Sequence, residues 1–162
     1  MKNEETTLTQ LIKHGGIFYK TAGSTKKEIM SNLIDALPAA TLPSAKRSVL
    51  LNAVMEREAL ISTGIENGIA LPHPRTPLLE DGEPPFVAIT FPRQPLDWDT
   101  PDNKPVHTIF LIVSASPKQH LNALTKINFL CMDETFFGLI TAQAAKEEIL
   151  AAVEEAEKEW GE

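Results

Sequence analysis

Apolar residues recur along this chain in two rhythms. Ile29, Met30, Leu33, Ile34 and Leu37 fall at helical spacing behind Thr25-Lys-Lys-Glu28, a capping-box spacing, and Pro38 closes the predicted helix. A second helix is predicted from Ser44 to about Glu58, with Val49, Leu50, Ala53 and Val54 inward and Arg57 in its last turn. FVAITF (86–91) and VHTIFLIV (106–113) read as strands, and the second is apolar for most of its length, as a strand covered on both faces should be. Ser116-Pro117-Lys118-Gln119 opens another helix, with an N-cap serine, proline at the first helical position and glutamine completing a capping box. Leu121, Leu124, Ile127 and Cys131 continue its apolar face. Asp133 is placed to cap a shorter helix through Phe136, Phe137 and Ile140, and Ile149, Val153, Ala156 and Trp160 form the stripe of a last one. Residues 59–85 read as irregular apart from Ile69-Ala70-Leu71, with Gly64 and Gly68 bracketing a turn. Strands mixed with helices predict an α/β sandwich.

Composition narrows the function classes. The 162 residues suit one domain, expected to span 1–162, and a chain that is 43% hydrophobic and 23% charged is an ordinary globular one. Most of the net charge of −7 belongs to residues 143–162, whose seven glutamates against two lysines are expected to form a solvated helix face. No basic stripe with aromatic stacking platforms exists, which argues against a nucleic-acid partner. The single Cys131 excludes an internal disulfide and a cysteine-rich zinc site and suits a reducing compartment. MKNEETTLTQ lacks the apolar core of a signal peptide, and the longest unbroken apolar run covers only residues 109–113, so no membrane insertion and a cytoplasmic location are expected.

Candidate chemistry centres on Leu71-Pro72-His73-Pro74-Arg75, where a short strand ends in a histidine between two prolines. Pro74 restricts the residue before it to extended conformations, so His73 is held stiffly. Its imidazole is suited to act as a nucleophile, a proton shuttle or a metal ligand, or to be a turn histidine without a role. His120 sits in the first turn of the helix opened by Ser116, where the helix dipole favours an anion; its alternative is a helix-start residue bonded to a loop. Arg57 has the bidentate geometry to grip phosphate oxygens; its alternative is a surface cation complementing a helix C-terminus. The four histidines are spaced 59, 34 and 13 residues apart with no HxxxH or CxxC pair, which disfavours a metal site. GxSxG, GxxxxGK[ST] and GxGxxG are absent, so neither a serine hydrolase nor those nucleotide-binding loops are indicated, and no cofactor is implied. Cys131 reads as a small core residue, His107 as structural and His14, beside Gly15-Gly16, as part of a helix-ending turn.

The segment from Arg57 through Ser62-Thr-Gly-Ile-Glu-Asn-Gly-Ile-Ala-Leu-Pro-His73 resembles the active-site segment of the type-2 (fructose/mannitol) IIA components of the bacterial phosphoenolpyruvate-dependent phosphotransferase system, and is most similar to their nitrogen-regulatory branch. A second block, Asp102-Asn-Lys-Pro-Val106 followed by a strand and His120-Leu121-x-x-Leu124, is similar to that family's D-x-x-P-V strand and H-L-x-x-L helix. The similarity runs from about residue 17 to 156. It implies a mixed β-sheet sandwiched by α-helices and a phosphohistidine relay. By this match His73 accepts a phosphoryl group from an HPr-like phosphocarrier protein, while His120 and Arg57 stabilise the phosphate. The phosphate is then passed to a IIB component or used as a nitrogen-type regulatory signal toward a target protein. Two positions depart from the pattern. Glu66 stands where the family has a small residue, and Pro74 replaces the small residue after the histidine. They leave open an alternative, a regulatory binding module of the same fold that is not phosphorylated.

Overall fold

The computed structural model describes residues 6–80 and 82–161. Within these, six helices surround one mixed five-stranded sheet. Helix α1 (Leu8–Gly15) leads into β1 (Gly16–Thr21), followed by α2 (Lys26–Ala36), a 3-10 turn (Ser44–Lys46) and α3 (Arg47–Leu60). The short strands β2 (Gly64–Ile65) and β3 (Ile69–Ala70) form a hairpin, β4 (Phe86–Pro92) and β5 (Thr108–Val113) form the sheet centre, and α4 (Pro117–Met132), α5 (Glu134–Thr141) and α6 (Lys146–Gly161) complete the chain. The order across the sheet is β1-β4-β5-β3-β2, with β1 parallel to β4, β4 antiparallel to β5 and β3 parallel to β5.

Strict alternation along β4 and β5 divides the interior into two cores. Val87, Ile89, Phe91, Phe110 and Ile112 pack with α1, α4, α5 and α6, whereas Phe86, Ala88, Ile109, Leu111, Val113 and Trp98 pack with α2 and α3. Every residue of both strands is buried, which is why their sequences read as unbroken apolar runs. The expected α/β sandwich is thereby confirmed.

The capping signals act locally as expected, with two variations. Thr25 Oγ1 accepts the Glu28 N–H at 3.1 Å, but the Glu28 carboxylate turns to the Thr25 and Ser24 hydroxyls instead of the N-cap backbone. Ser116 Oγ accepts the Gln119 N–H at 3.1 Å, while Gln119 Oε1 reaches one residue further back, to the Ala115 N–H at 2.7 Å. Asp133 caps α5 through the N–H groups of Thr135 and Phe136. His14 does lie at a helix end, in the last turn of α1, where Gly16 adopts φ +98°.

Five expectations need correction. Val49 and Leu121 are exposed: α3 turns Leu50, Val54 and Glu58 to the core, and α4 turns Ala123, Ile127 and Leu130. Trp160 is also partly exposed, at 41%, beside Phe129. Residues 59–85 contain the β2–β3 hairpin, whose turn is made by Asn67 and Gly68, both at positive φ. Not all tail glutamates face solvent. Glu157 accepts the N–H groups of Leu8 and Thr9 at the start of α1 and pairs with Lys126 of α4, fastening three helices together.

A candidate phosphoryl-transfer site at the ends of three elements

Three stretches remote in sequence converge beyond the C-terminal ends of the parallel strands β3 and β5: the loop after β3, the C-terminal turn of α3 and the first turn of α4. Leu71 and Pro72 continue the line of β3, and the Pro72 carbonyl accepts the Ile112 N–H of β5 at 3.1 Å. The chain leaves the sheet at His73, and Pro74 is buried directly behind it. His73 is half-buried, and its ring lies 4.4 Å from that of His120, centroid to centroid, at an interplanar angle of 47°. Arg57, in the last turn of α3, donates from Nη1 to the Ile61 carbonyl at 2.8 Å, and its charge bears on both imidazoles. All three residues singled out from the sequence are therefore brought together, and Arg57 also serves the helix end that its alternative reading required.

Protonation follows from this packing. Burial depresses the His73 pKa, and the Arg57 charge depresses it further, while the bond to the Leu71 carbonyl and the Glu58 charge oppose the shift. His120 is lowered to about 4 by burial first, then by His73 and Arg57. Both rings are neutral near pH 7. His73 Nδ1 lies 2.8 Å from the Leu71 carbonyl oxygen, which can only accept, so Nδ1 carries the proton and the lone pair resides on Nε2.

The first turn of α4 is less generous with free donors than its sequence suggests. Pro117 has no N–H, that of Gln119 is held by Ser116 Oγ, and that of His120 by the Ser116 carbonyl. The dipole, the Lys118 N–H and the His120 ring remain as the contributions of this helix end to an anion. A pocket of about 110 Å³ adjoins it, lined by Pro74, exposed Arg75, Ser114, Pro117 and His120 among others. Glu66 projects elsewhere. It is exposed in the β2–β3 turn and lines a separate pocket with Asn128, Cys131 and Met132.

The family model described as phosphoenolpyruvate-dependent sugar phosphotransferase system, EIIA 2, matches residues 10–156. The chain belongs to this family. The nitrogen regulatory protein of Pseudomonas aeruginosa is 32% identical over 122 residues, covering 74% of this chain and 77% of its own length. The crystal structure of the nitrogen regulatory protein IIA-Ntr from Neisseria meningitidis has a TM-score of 0.73 at 24% identity, covering 86% of this chain and 94% of that one. The mannitol IIA component in the complex of IIA and phosphorylated IIB from Escherichia coli gives a TM-score of 0.66 at 18% identity, covering 87% and 95%. These likenesses establish the mixed-sheet EIIA type 2 fold. Among the described residues, no helix is long and apolar enough to cross a membrane.

Reading the sequence missed a group of residues behind His73. Glu58 is buried and accepts hydrogen bonds from Lys26, the Thr63 backbone and the Thr63 hydroxyl. Ser62 donates to the Trp98 carbonyl at 2.6 Å. One signal for Glu58 was present: it extends the Leu50–Val54 stripe by four more residues, which puts a carboxylate on the inward face of α3.

Proposed function

We propose that this EIIA-type protein is a phosphoryl carrier in which His73 Nε2 accepts the phosphoryl group from a phosphohistidine on a small HPr-like protein. The observation that carries the reading is the Nδ1–H bond to the Leu71 carbonyl, which leaves Nε2 as the nucleophilic nitrogen. In the transfer, the donor's N–P bond breaks with its electron pair returning to the donor imidazole, and the Nε2 lone pair forms the new N–P bond. No proton needs to leave, because Nδ1 keeps its own. The phosphorylated ring is then formally cationic, and the Leu71 carbonyl dipole stabilises it. Phosphoryl transfer needs mainly positioning and electrostatic stabilisation already in place, the role assigned to neutral His120 and to Arg57.

The surroundings support a protein donor. Leu60, Ile61 and Leu121 are 60, 73 and 66% exposed, and they adjoin Arg57 and His120 in the chain. Such an apolar rim with a charged centre suits transient docking by a partner. The location of Glu66 in another pocket removes one reason to regard the site as inactive. The same chain, acting as one IIA unit in the cytoplasm, would relay phosphate to a IIB component or use its phosphorylation state as a regulatory signal, as the nitrogen regulatory relatives suggest.

Incubation with phosphoenolpyruvate, its phosphotransferase and a phosphocarrier protein, followed by intact-mass measurement, tests this. One acid-labile phosphate is expected, absent from His73→Ala. No mass increase with a cognate carrier defeats the proposal in favour of a binding module that is not phosphorylated.

A further inference from the structure

Phosphoryl transfer as described leaves one conspicuous group unused. Among the described residues Glu58 is the one charged residue that is buried, at 6% exposure. A carboxylate removed from water is costly unless it is paired and its oxygens are filled, and an apolar pair in its place is often no less stable. Here the oxygens are filled. Oε2 accepts from Lys26 Nζ and from the Thr63 N–H, each at 2.9 Å, and Oε1 accepts from the Thr63 hydroxyl. Both of its bonds to the backbone side of the site end on Thr63. The Thr63 carbonyl accepts the Leu71 N–H at 3.1 Å, and the Leu71 carbonyl takes His73 Nδ1–H at 2.8 Å. Hydrogen bonds and the backbone of Thr63 and Leu71 together therefore link the buried carboxylate to the imidazole. The next peptide is anchored differently, because the Pro72 carbonyl is held by Ile112 of β5. The Leu71–Pro72 peptide, whose carbonyl touches His73, therefore lies between two anchored groups: the Leu71 N–H on the preceding peptide, held by Thr63 and through it by Glu58, and the Pro72 carbonyl on the following one, held by Ile112.

We propose that Glu58, neutralised by Lys26, is a positioning residue for phosphoryl transfer: through Thr63 it anchors the Leu71 N–H, and so helps set the direction of the Leu71 carbonyl one peptide on, so that His73 keeps its Nδ1–H tautomer and presents Nε2. The proposal rests on the acceptor role assigned to His73 above. An ion pair serving stability alone would leave the tautomer untouched when replaced by well-packed apolar groups.

The test pairs ¹⁵N NMR of the unphosphorylated His73 imidazole with the single-turnover rate of phosphoryl uptake from a phosphorylated carrier. Wild type is expected to show the Nδ1–H pattern. Glu58→Met should give mixed tautomers and uptake slowed about ten- to a hundredfold, the size expected when a reacting group is misplaced by a fraction of an ångström to one ångström. Lys26→Met/Glu58→Met leaves no unpaired charge to unfold the protein and should show the same two changes. Glu58→Gln, which retains an acceptor for the Thr63 N–H, should restore the tautomer and most of the rate. A folded double variant with the wild-type tautomer and rate overturns the proposal, as does a Glu58→Gln variant that behaves like Glu58→Met. Wild type that takes up no phosphate defeats the acceptor reading alone, since the NMR comparison still decides the positioning role.

Discussion

His120 provides a quantitative check on the electrostatics of the site. Burial, the neighbouring His73 and Arg57 bring its pKa to about 4, against about 6.5 for an imidazole in the unfolded chain. Below about pH 6.5 the unfolded chain binds a proton here that the folded protein rejects, so stability falls as pH drops toward about 4 and levels off beneath it. A difference of about 2.5 pKa units corresponds to about 3 kcal/mol at full strength. The ring is only partly buried, and solvent screening reduces the expected contribution to about 1–2 kcal/mol. His120→Gln removes the titration and keeps a polar side chain. Urea unfolding of both proteins between about pH 7.5 and pH 4 reads this contribution together with its coupling to His73, the titrating group that neighbours it, while the remaining groups are common to the pair. The variant should gain about 1–2 kcal/mol relative to wild type over that interval. A difference that does not change with pH refutes the assigned environment. A dianionic phosphoryl group on His73 should raise the His120 pKa, which an NMR titration of the phosphorylated protein would record directly.

Further outcomes follow from the packing. A Cβ at Gly15 would lie 2.1 Å from the Val87 carbonyl oxygen of β4, so Gly15→Ala should cost at least about 2 kcal/mol in chemical denaturation, whereas nothing lies near Gly138 in α5 and Gly138→Ala should gain up to about 1 kcal/mol. Burial raises the Cys131 thiol to about 12, so alkylation of the native protein near pH 8 should be about a thousandfold slower than that of the unfolded chain; equal rates would contradict this burial. Glu157→Gln should cost about 1–2 kcal/mol by thermal or chemical melts, with protection of the α1 amides lost first in hydrogen exchange. Burial opposes ionisation of Glu157, but bonds from Thr9, Leu8 and Lys126 outweigh it and lower the pKa, so this stabilisation is present above the ordinary carboxylate range and disappears as pH falls through the lowered value.

Much of the fold was legible because its signals are local. Thr25, Ser116 and Asp133 cap the helices they were expected to cap, since a side-chain oxygen reaching an N–H two or three residues on needs no tertiary partner. The central strands were readable because burial on both faces imposes continuous apolarity. The exposed positions of Val49 and Leu121 were not readable, because helical spacing marks an apolar stripe without saying how far the neighbouring layer covers it. The antiparallel hairpin of β2 and β3 escaped notice because two-residue strands carry no period.

The candidate site divides along the same line. Its chemistry was contained in residue types: a histidine held between prolines, a second histidine at a helix start and an arginine at a helix end. Their meeting was not, because 63 residues separate Arg57 from His120 and only the path of the chain around the sheet closes that gap. Which ring nitrogen of His73 carries the proton, and the burial of Glu58, were likewise decided by tertiary structure. A tautomer depends on the one acceptor within reach, and a charge survives burial only where other elements deliver its partners, here Lys26 from α2 and Thr63 from the loop after α3.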